Sequence, residues 1–263
     1  MQQIKKRPLR IGIIGGMGPE AGVEFHRLII EATPATCDQE HLEVLCYSRP
    51  GIPDRTESLR KDNGARFVEA VVDVAKVLVN AEVHVIAMPC ITAHARFAEI
   101  ARHVPVPLVD MVDLAAAEII LHHRKAQKIG ILATDGTIRE NIFSIALRGH
   151  GFEMIYLGNE HQRLLMRTIY AVKAGRRDTS ISKTMRALMG VLYDQGARAF
   201  VLACSELSLF YDDVTTVRVP VIDPLRVTAH HLVQMAFKAR AVSSDVTTPN
   251  ETTQPNTPST LSP

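Results

Sequence analysis

The sequence predicts an α/β chain of two similar halves, each built on an open parallel sheet, with a cleft between them. Three observations carry that expectation. Short apolar runs alternate with longer amphipathic segments, which is the rhythm of crossover units in a parallel sheet. Landmarks recur in one order: IGII at 11–14 returns as IGIL at 129–132, Cys90 as Cys204, and VPVPLVD ending at Asp110 as VRVPVID ending at Asp223. The offsets are 118, 114 and 113 residues, the spacing of an internal duplication. Finally, VHVIAMP at 83–89 is nearly continuous in apolar character, as a strand covered on both faces is.

The elements follow in order. IGIIGG at 11–16 reads as a buried strand, and PEAGVEFHRLIIEAT behind it as a helix, with Ala21, Phe25, Leu28, Ile29 and Ala32 at helical spacing. LEVLCYS at 42–48 is a second strand. Residues 65–80 form a helix whose buried face carries Phe67, Val71, Val74, Ala75 and Leu78, and 83–89 is the third strand. In the second half IGILAT is a strand, 138–149 a helix, FEMIYL a strand, 160–174 and 179–195 helices, and AFVLAC a strand. A last helix, 225–240, follows the second half and is expected to return to the first. The domain boundaries read as 1–112 and 113–223, with 224–241 packing back on the first. Residues 242–263 are rich in Ser, Thr and Pro without periodicity, so a disordered tail is expected there.

Composition narrows the function classes. The 263 residues are 46% hydrophobic and 22% charged, with a net charge of +2. That is the balance of a globular chain with ample core. The basic residues are spread out, dense only in the short QQIKKRPLR start, so no nucleic-acid footprint is expected. No apolar run approaches the ~20 residues of a membrane span, and the N-terminus lacks the apolar stretch of a secretory signal. The expected compartment is the cytoplasm, where four cysteines without a framework spacing stay free thiols. Cys90 and His94 have i, i+4 spacing, but no second pair completes a metal site, so no metal is expected. Gly12, Gly15, Gly16 and Gly18 miss the dinucleotide fingerprint.

The chemistry concentrates on two cysteines. A lone buried cysteine is commonly a small apolar filler, and Cys37 and Cys46 read that way. Cys90 and Cys204 differ, because the duplication places both at equivalent strand ends, where open α/β sheets bind ligands. Each also stands at the expected start of a helix, where free N–H groups favour a thiolate. Two thiols on opposite sides of one cleft suit the removal of a proton from one face of a carbon and its return to the other. Backbone N–H groups there, with the Thr92 and Ser205 hydroxyls, are placed to hold an α-carboxylate.

At these residues the chain resembles the aspartate/glutamate racemase family, most of all its aspartate racemase branch. The resembling stretches are IGIIGGMGPEA, TPATCDQEH, IPDRT, MPCITAH, ILATDGTI, IYAVKAG, ACSEL and VPVIDP, from about residue 10 to 224. The resemblance implies two pseudo-symmetric Rossmann-like domains with parallel sheets and an active-site cleft between them. It implies a cofactor-independent racemase, with Cys90 and Cys204 as the two bases and an amino acid, aspartate or glutamate, as substrate. It implies a homodimer. By the same resemblance Met17 and Gly18 border the substrate, and Asp54 and Arg55 face its distal carboxylate, which Lys173 also binds. Thr92 and Ser205 take α-carboxylate positions, and Thr134 and Thr137 the second glycine loop.

Two positions depart from the family pattern. The residue after the first cysteine is usually Asn, and here it is Ile91, which cannot donate a hydrogen bond to the substrate. A lost bond to a charged group costs about 1.5–3 kcal/mol, a tenfold to hundredfold effect on binding or rate. The second motif, usually Gly-Cys-Thr-Glu, is Ala203-Cys204-Ser205-Glu206, which keeps the hydroxyl. The alternatives left open are a family member altered into a ligand-binding protein, and another carbanion-forming isomerase or decarboxylase of the superfamily.

Overall fold

A computed structural model describes residues 9–215 and 219–245. Its first half runs β1 (Arg10–Gly15), α1 (Pro19–Ala32), β2 (Glu43–Ser48), α2 (Arg55–Asp62), α3 (Ala65–Asn80), β3 (Val85–Ala87), α4 (Phe97–Ala101), β4 (Leu108–Val109) and α5 (Met111–His122). The second half runs β5 (Lys128–Ala133), α6 (Asp135–Arg139), α7 (Ile142–Ala146), β6 (Glu153–Ile155), α8 (Asn159–Lys173), α9 (Thr179–Asp194), β7 (Ala199–Ala203), α10 (Ser205–Ser208), α11 (Tyr211–Val214) and β8 (Val221–Ile222). A long helix, α12 (Pro224–Asp245), closes the described chain.

The two sheets share one topology. Strand order is β2-β1-β3-β4 in the first and β6-β5-β7-β8 in the second, all parallel. β1 and β5, the duplicated IGII and IGIL runs, are central and almost fully buried, which explains their unbroken apolar character. In each sheet the strand order reverses beside that central strand, between β1 and β3 and between β5 and β7. A crevice opens at such a point, outside the carboxyl ends of the strands.

The core explains why the halves form one body. Ile11, Phe25 and Ile29 share a continuous apolar cluster with Ile129 and Val201 of the other half and with Leu225 and Leu232 of α12. α12 packs on α1 and on α5. Separate clusters cover the outer faces, under α3 in the first half and under α8 and α9 in the second. Each large side chain buried here stabilises the fold by roughly 1.5–3 kcal/mol.

Several segments differ from the expectations, which give no helix at α4, α5 or α11. The single helix expected at 138–149 is two short ones, α6 and α7, because Asn141 takes the left-handed conformation (φ 53°) between them. Asn tolerates that region at low cost. α2 was not foreseen, since RTESLRKD has no apolar periodicity; capping forms it instead, with Asp54 accepting from the Glu57 N–H at 2.9 Å. α12 reaches Asp245 rather than 240 or 241, as no glycine or proline interrupts the sequence before Pro249. The tail expected at 242–263 otherwise lies outside the described residues.

Candidate active site

Strand ends position the site. β1 ends in a loop where Gly16 has φ +96° and a Cβ would sit 2.4 Å from the backbone of Arg49, so only glycine fits. That loop delivers Met17 and Gly18 to the N-terminus of α1. β3 leads to Cys90, which opens a 3₁₀ turn at Ile91–Arg96. β5 ends at Thr134, whose side chain caps α6 by accepting from the Thr137 N–H at 3.2 Å. β7 ends at Cys204, which opens α10. At Gly136 a Cβ would lie 2.7 Å from Thr56 Oγ1 and 2.8 Å from Thr92 Cγ2, so this glycine lets the second half approach the first.

A small cavity of about 20 Å³ opens between the halves, and both Cys90 and Cys204 line it. Asp54, Arg55, Met17, Ile91, Thr92, Thr134, Lys173 and Ser205 line it too. Gly18 and Thr137 stand just behind, each hydrogen-bonded to a lining residue. All the residues singled out from the sequence therefore gather at one place. Thr56, Ile169, Tyr170 and Glu206 also line the cavity and were not singled out. Glu206 was legible in one respect: it stands two residues after Cys204, and a lysine reaching a buried site needs a counter-charge.

The electrostatics are tightly paired. Arg55 is 7% exposed and donates to the carbonyls of Pro53 (2.9 Å), Met17 (3.2 Å) and Ile52 (3.3 Å), while its Nε has no hydrogen-bond partner among the described residues. Burial works against the charge of Arg55, but nearby Cys90, Asp54 and Glu206 more than offset it, leaving its pKa above the ordinary value. Lys173 and Glu206 form a close ion pair. Burial opposes both charges, and their mutual attraction wins: the lysine pKa is raised and the carboxylate pKa lowered. Glu206 Oε1 also accepts from the Gly18 N–H at 3.1 Å, and Oε2 accepts from Cys204 Sγ at 3.0 Å.

Two expectations need correction here. The helix start was expected to favour a thiolate at both cysteines. At Cys204 the reverse holds: burial, then the charge of Glu206, pushes the thiol well above its ordinary value. A four-residue helix supplies too little field to oppose them. The second concerns Cys37 and Cys46, read as buried apolar fillers: both are exposed. Lys173, expected to meet a substrate carboxylate, lines the cavity and pairs there with Glu206.

The hydroxyls form a second cluster. Thr92 Oγ1 lies 2.9 Å from Thr134 Oγ1 and 3.0 Å from Thr137 Oγ1, and the last two are 3.1 Å apart. Ile91 is 1% exposed and belongs to the central core, so its side chain packs as well as lines. His94 is held by backbone: the Met111 N–H donates to Nε2 at 3.3 Å, which leaves Nδ1 to donate to the Cys90 carbonyl at 2.9 Å. Burial lowers the pKa of His94, in keeping with that neutral form. Among the described residues, no group of three His, Cys, Asp or Glu side chains is arranged to hold a metal ion.

The comparisons with known proteins agree with this geometry. Residues 14–232 match the family described as Asp/Glu/Hydantoin racemase. The chain is 29% identical over 221 residues to the broad specificity amino-acid racemase RacX of Bacillus subtilis (strain 168), covering 81% of this chain and 92% of that one. Its fold is similar to that of Picrophilus torridus aspartate racemase, with a TM-score of 0.74 and 28% identity over 89% of this chain and 98% of the other. An aspartate racemase homologue from Pyrococcus horikoshii OT3 is similar with a TM-score of 0.67 and 26% identity, over 87% and 99% of the two chains. Glutamate racemase from Francisella tularensis shares the fold at 17% identity and a TM-score of 0.65, over 89% and 82%. With the family match running through both halves and the cavity between them, the chain belongs to the Asp/Glu/hydantoin racemase family and is an isomerase, an amino-acid racemase.

Proposed function

We propose that the chain interconverts L- and D-aspartate by a two-base mechanism that needs no cofactor, with Cys90 and Cys204 as the bases. The observation that carries this reading is the shared cavity: each half contributes one cysteine to it, at the same topological position. In this reading one sulfur takes the Cα proton, the bonding pair stays on the carbanion, and the other sulfur's proton is delivered to the opposite face. Thr92, Ser205 and the adjoining backbone N–H groups hold the α-carboxylate and the charge that develops on it. Arg55 and Lys173 receive the distal carboxylate, with the Nε of Arg55, unpartnered among the described residues, as one donor. Incubation with L-aspartate in heavy water tests this directly. D-Aspartate labelled at Cα is the expected product, and a protein that only binds would yield neither label nor product.

A wider substrate range is the second reading. It is favoured by the ion pair of Lys173 with Glu206, which leaves one fewer free positive charge for a second carboxylate, and by Ile91 in place of a polar donor. A chiral assay across the proteinogenic amino acids separates the two. We further take the enzyme to be a cytoplasmic homodimer. The edge strand β2 supports association, because it exposes Leu45 and Tyr47 along an unpaired side. Light scattering after gel filtration reads the mass.

A further inference from the structure

The duplication that makes the two cysteines equivalent breaks immediately after them. Cys90-Ile91-Thr92 in the first half corresponds to Cys204-Ser205-Glu206 in the second. A neutral hydroxyl thus faces a carboxylate across the pseudo-twofold relation, and the two sulfurs do not share an electrostatic environment.

Glu206 is 3% exposed and held from three elements. Its Oε1 accepts from Gly18 at the start of α1 and from Lys173 at the end of α8. Its Oε2 is left to face Cys204 Sγ at 3.0 Å. An ionised carboxylate only accepts hydrogen bonds, so a sulfur at that distance meets it as an S–H donor. A thiolate there would set two negative charges side by side in a buried site. On the other side of the cavity Arg55 lies beside Cys90, fully charged, with its buried Nε unpartnered among the described residues.

We propose that Glu206 is a positioning residue that keeps the proton on Cys204, so that in the free enzyme Cys204 is the acid and Cys90 the base. This rests on the two-cysteine reading above. The proton balance closes. The Cys90 thiolate takes the Cα proton and becomes a thiol. The Cys204 S–H gives its proton to the opposite face and becomes a thiolate. Turnover therefore leaves the sulfurs in exchanged states, with a thiolate against Glu206. Return of a proton to Cys204 and its loss from Cys90, both through solvent, restore the start, and Glu206 makes that return favourable.

The other charges around the pair are Lys173, which acts on both sulfurs, and Arg55 and Arg177, which act on Glu206. Lys173 opposes the hold on the Cys204 proton, but burial and the charge of Glu206 outweigh it.

Iodoacetamide labelling of the full chain across a pH series tests the proposal. The tryptic peptides of Cys90 and Cys204 are quantified separately, and the pH midpoint of each is read rather than its rate, so that access of the reagent does not enter. In the wild type the Cys204 midpoint should lie clearly above that of Cys90. Glu206→Gln should bring the Cys204 midpoint down by about one unit or more, shift the matching arm of the racemase pH profile, and leave the Cys90 midpoint nearly in place. Glu206→Asp, which keeps the charge, should preserve the separation. A wild-type Cys204 that titrates at or below Cys90, or a Cys204 midpoint indifferent to Glu206→Gln, overturns the proposal. Should Glu206→Gln fail to fold, the wild-type order decides alone. Labelling needs no turnover, so a failure of the two-base reading shows elsewhere, as racemisation that survives in Cys90→Ala or Cys204→Ala.

Discussion

Thr92 Oγ1 and Thr134 Oγ1 meet at 2.9 Å across the two halves of the protein, Thr92 from the loop after β3 and Thr134 from the loop after the central strand β5. With Thr137 they close a ring of three hydroxyls, each within reach of the other two. The ring joins the halves at the wall of the cavity, so it bears on stability and on substrate binding together. Thr92→Val keeps the shape and removes one member. The Thr134 and Thr137 hydroxyls then lose a buried partner, at a cost of about 1–3 kcal/mol. We expect a lower melting temperature and at least a tenfold loss in kcat/KM, while Thr92→Ser recovers most of both. Thermal melting and steady-state kinetics of the two variants check this; indifference of kcat/KM to Thr92→Val would remove the hydroxyl from carboxylate binding.

Cys90→Ala and Cys204→Ala should each abolish racemisation and leave the fold intact. Each side chain is buried at the cavity wall, so its loss leaves only a small void. Circular dichroism establishes the fold and a chiral assay the activity. Normal turnover in either variant refutes the pair as bases.

Arg55→Ala should depress kcat/KM for aspartate at least about tenfold more than for alanine, since only aspartate presents a second carboxylate to the lost guanidinium. Some stability should go as well, because three backbone carbonyls lose their donor. Equal losses for the two substrates would take Arg55 away from the distal carboxylate.

Asp223 predicts a pH dependence. Its carboxyl is pushed up to about 6 by burial, even though Ser208 and the Leu225 N–H both donate to Oδ1. The other oxygen, Oδ2, is buried without a hydrogen bond among the described residues, with Arg226 Nε at 3.8 Å. The folded state thus holds this proton more tightly than the unfolded chain does. The stability it contributes is fully present below the unfolded value of about 3.8 and is lost as pH rises through about 6. Asp223→Asn keeps the bonds to Oδ1 and removes the charge. The variant should therefore melt higher than the wild type above pH 6, and the difference should vanish near pH 4. Melting curves of both across pH 4–8 decide it, and a difference that does not change with pH counts against the argument.

Much of the molecule was legible because its strongest signals are local or repeated. The central strands show as apolar runs, and α3 at Ala65–Asn80 shows as one clean face. The two cysteines stand out because the same landmarks flank each of them. What stayed hidden was decided by single polar contacts. α2 depends on the Asp54 cap, and the break between α6 and α7 on one left-handed residue, Asn141. Neither leaves a periodic trace. The ion pair and the backbone bond of Glu206 were hidden because those partners, Lys173 and Gly18, are 33 and 188 residues away in sequence.

By itself the sequence determined the fold class, the duplicated order of strands and the residue types available for chemistry, because alternation and repetition follow from backbone geometry and burial. Only the tertiary structure decided which charge each buried group faces: Lys173 against Glu206, Cys204 against Glu206, Arg55 beside Cys90. Electrostatic energy depends on distance and on exclusion of water, and both arise when the two halves close on one cavity.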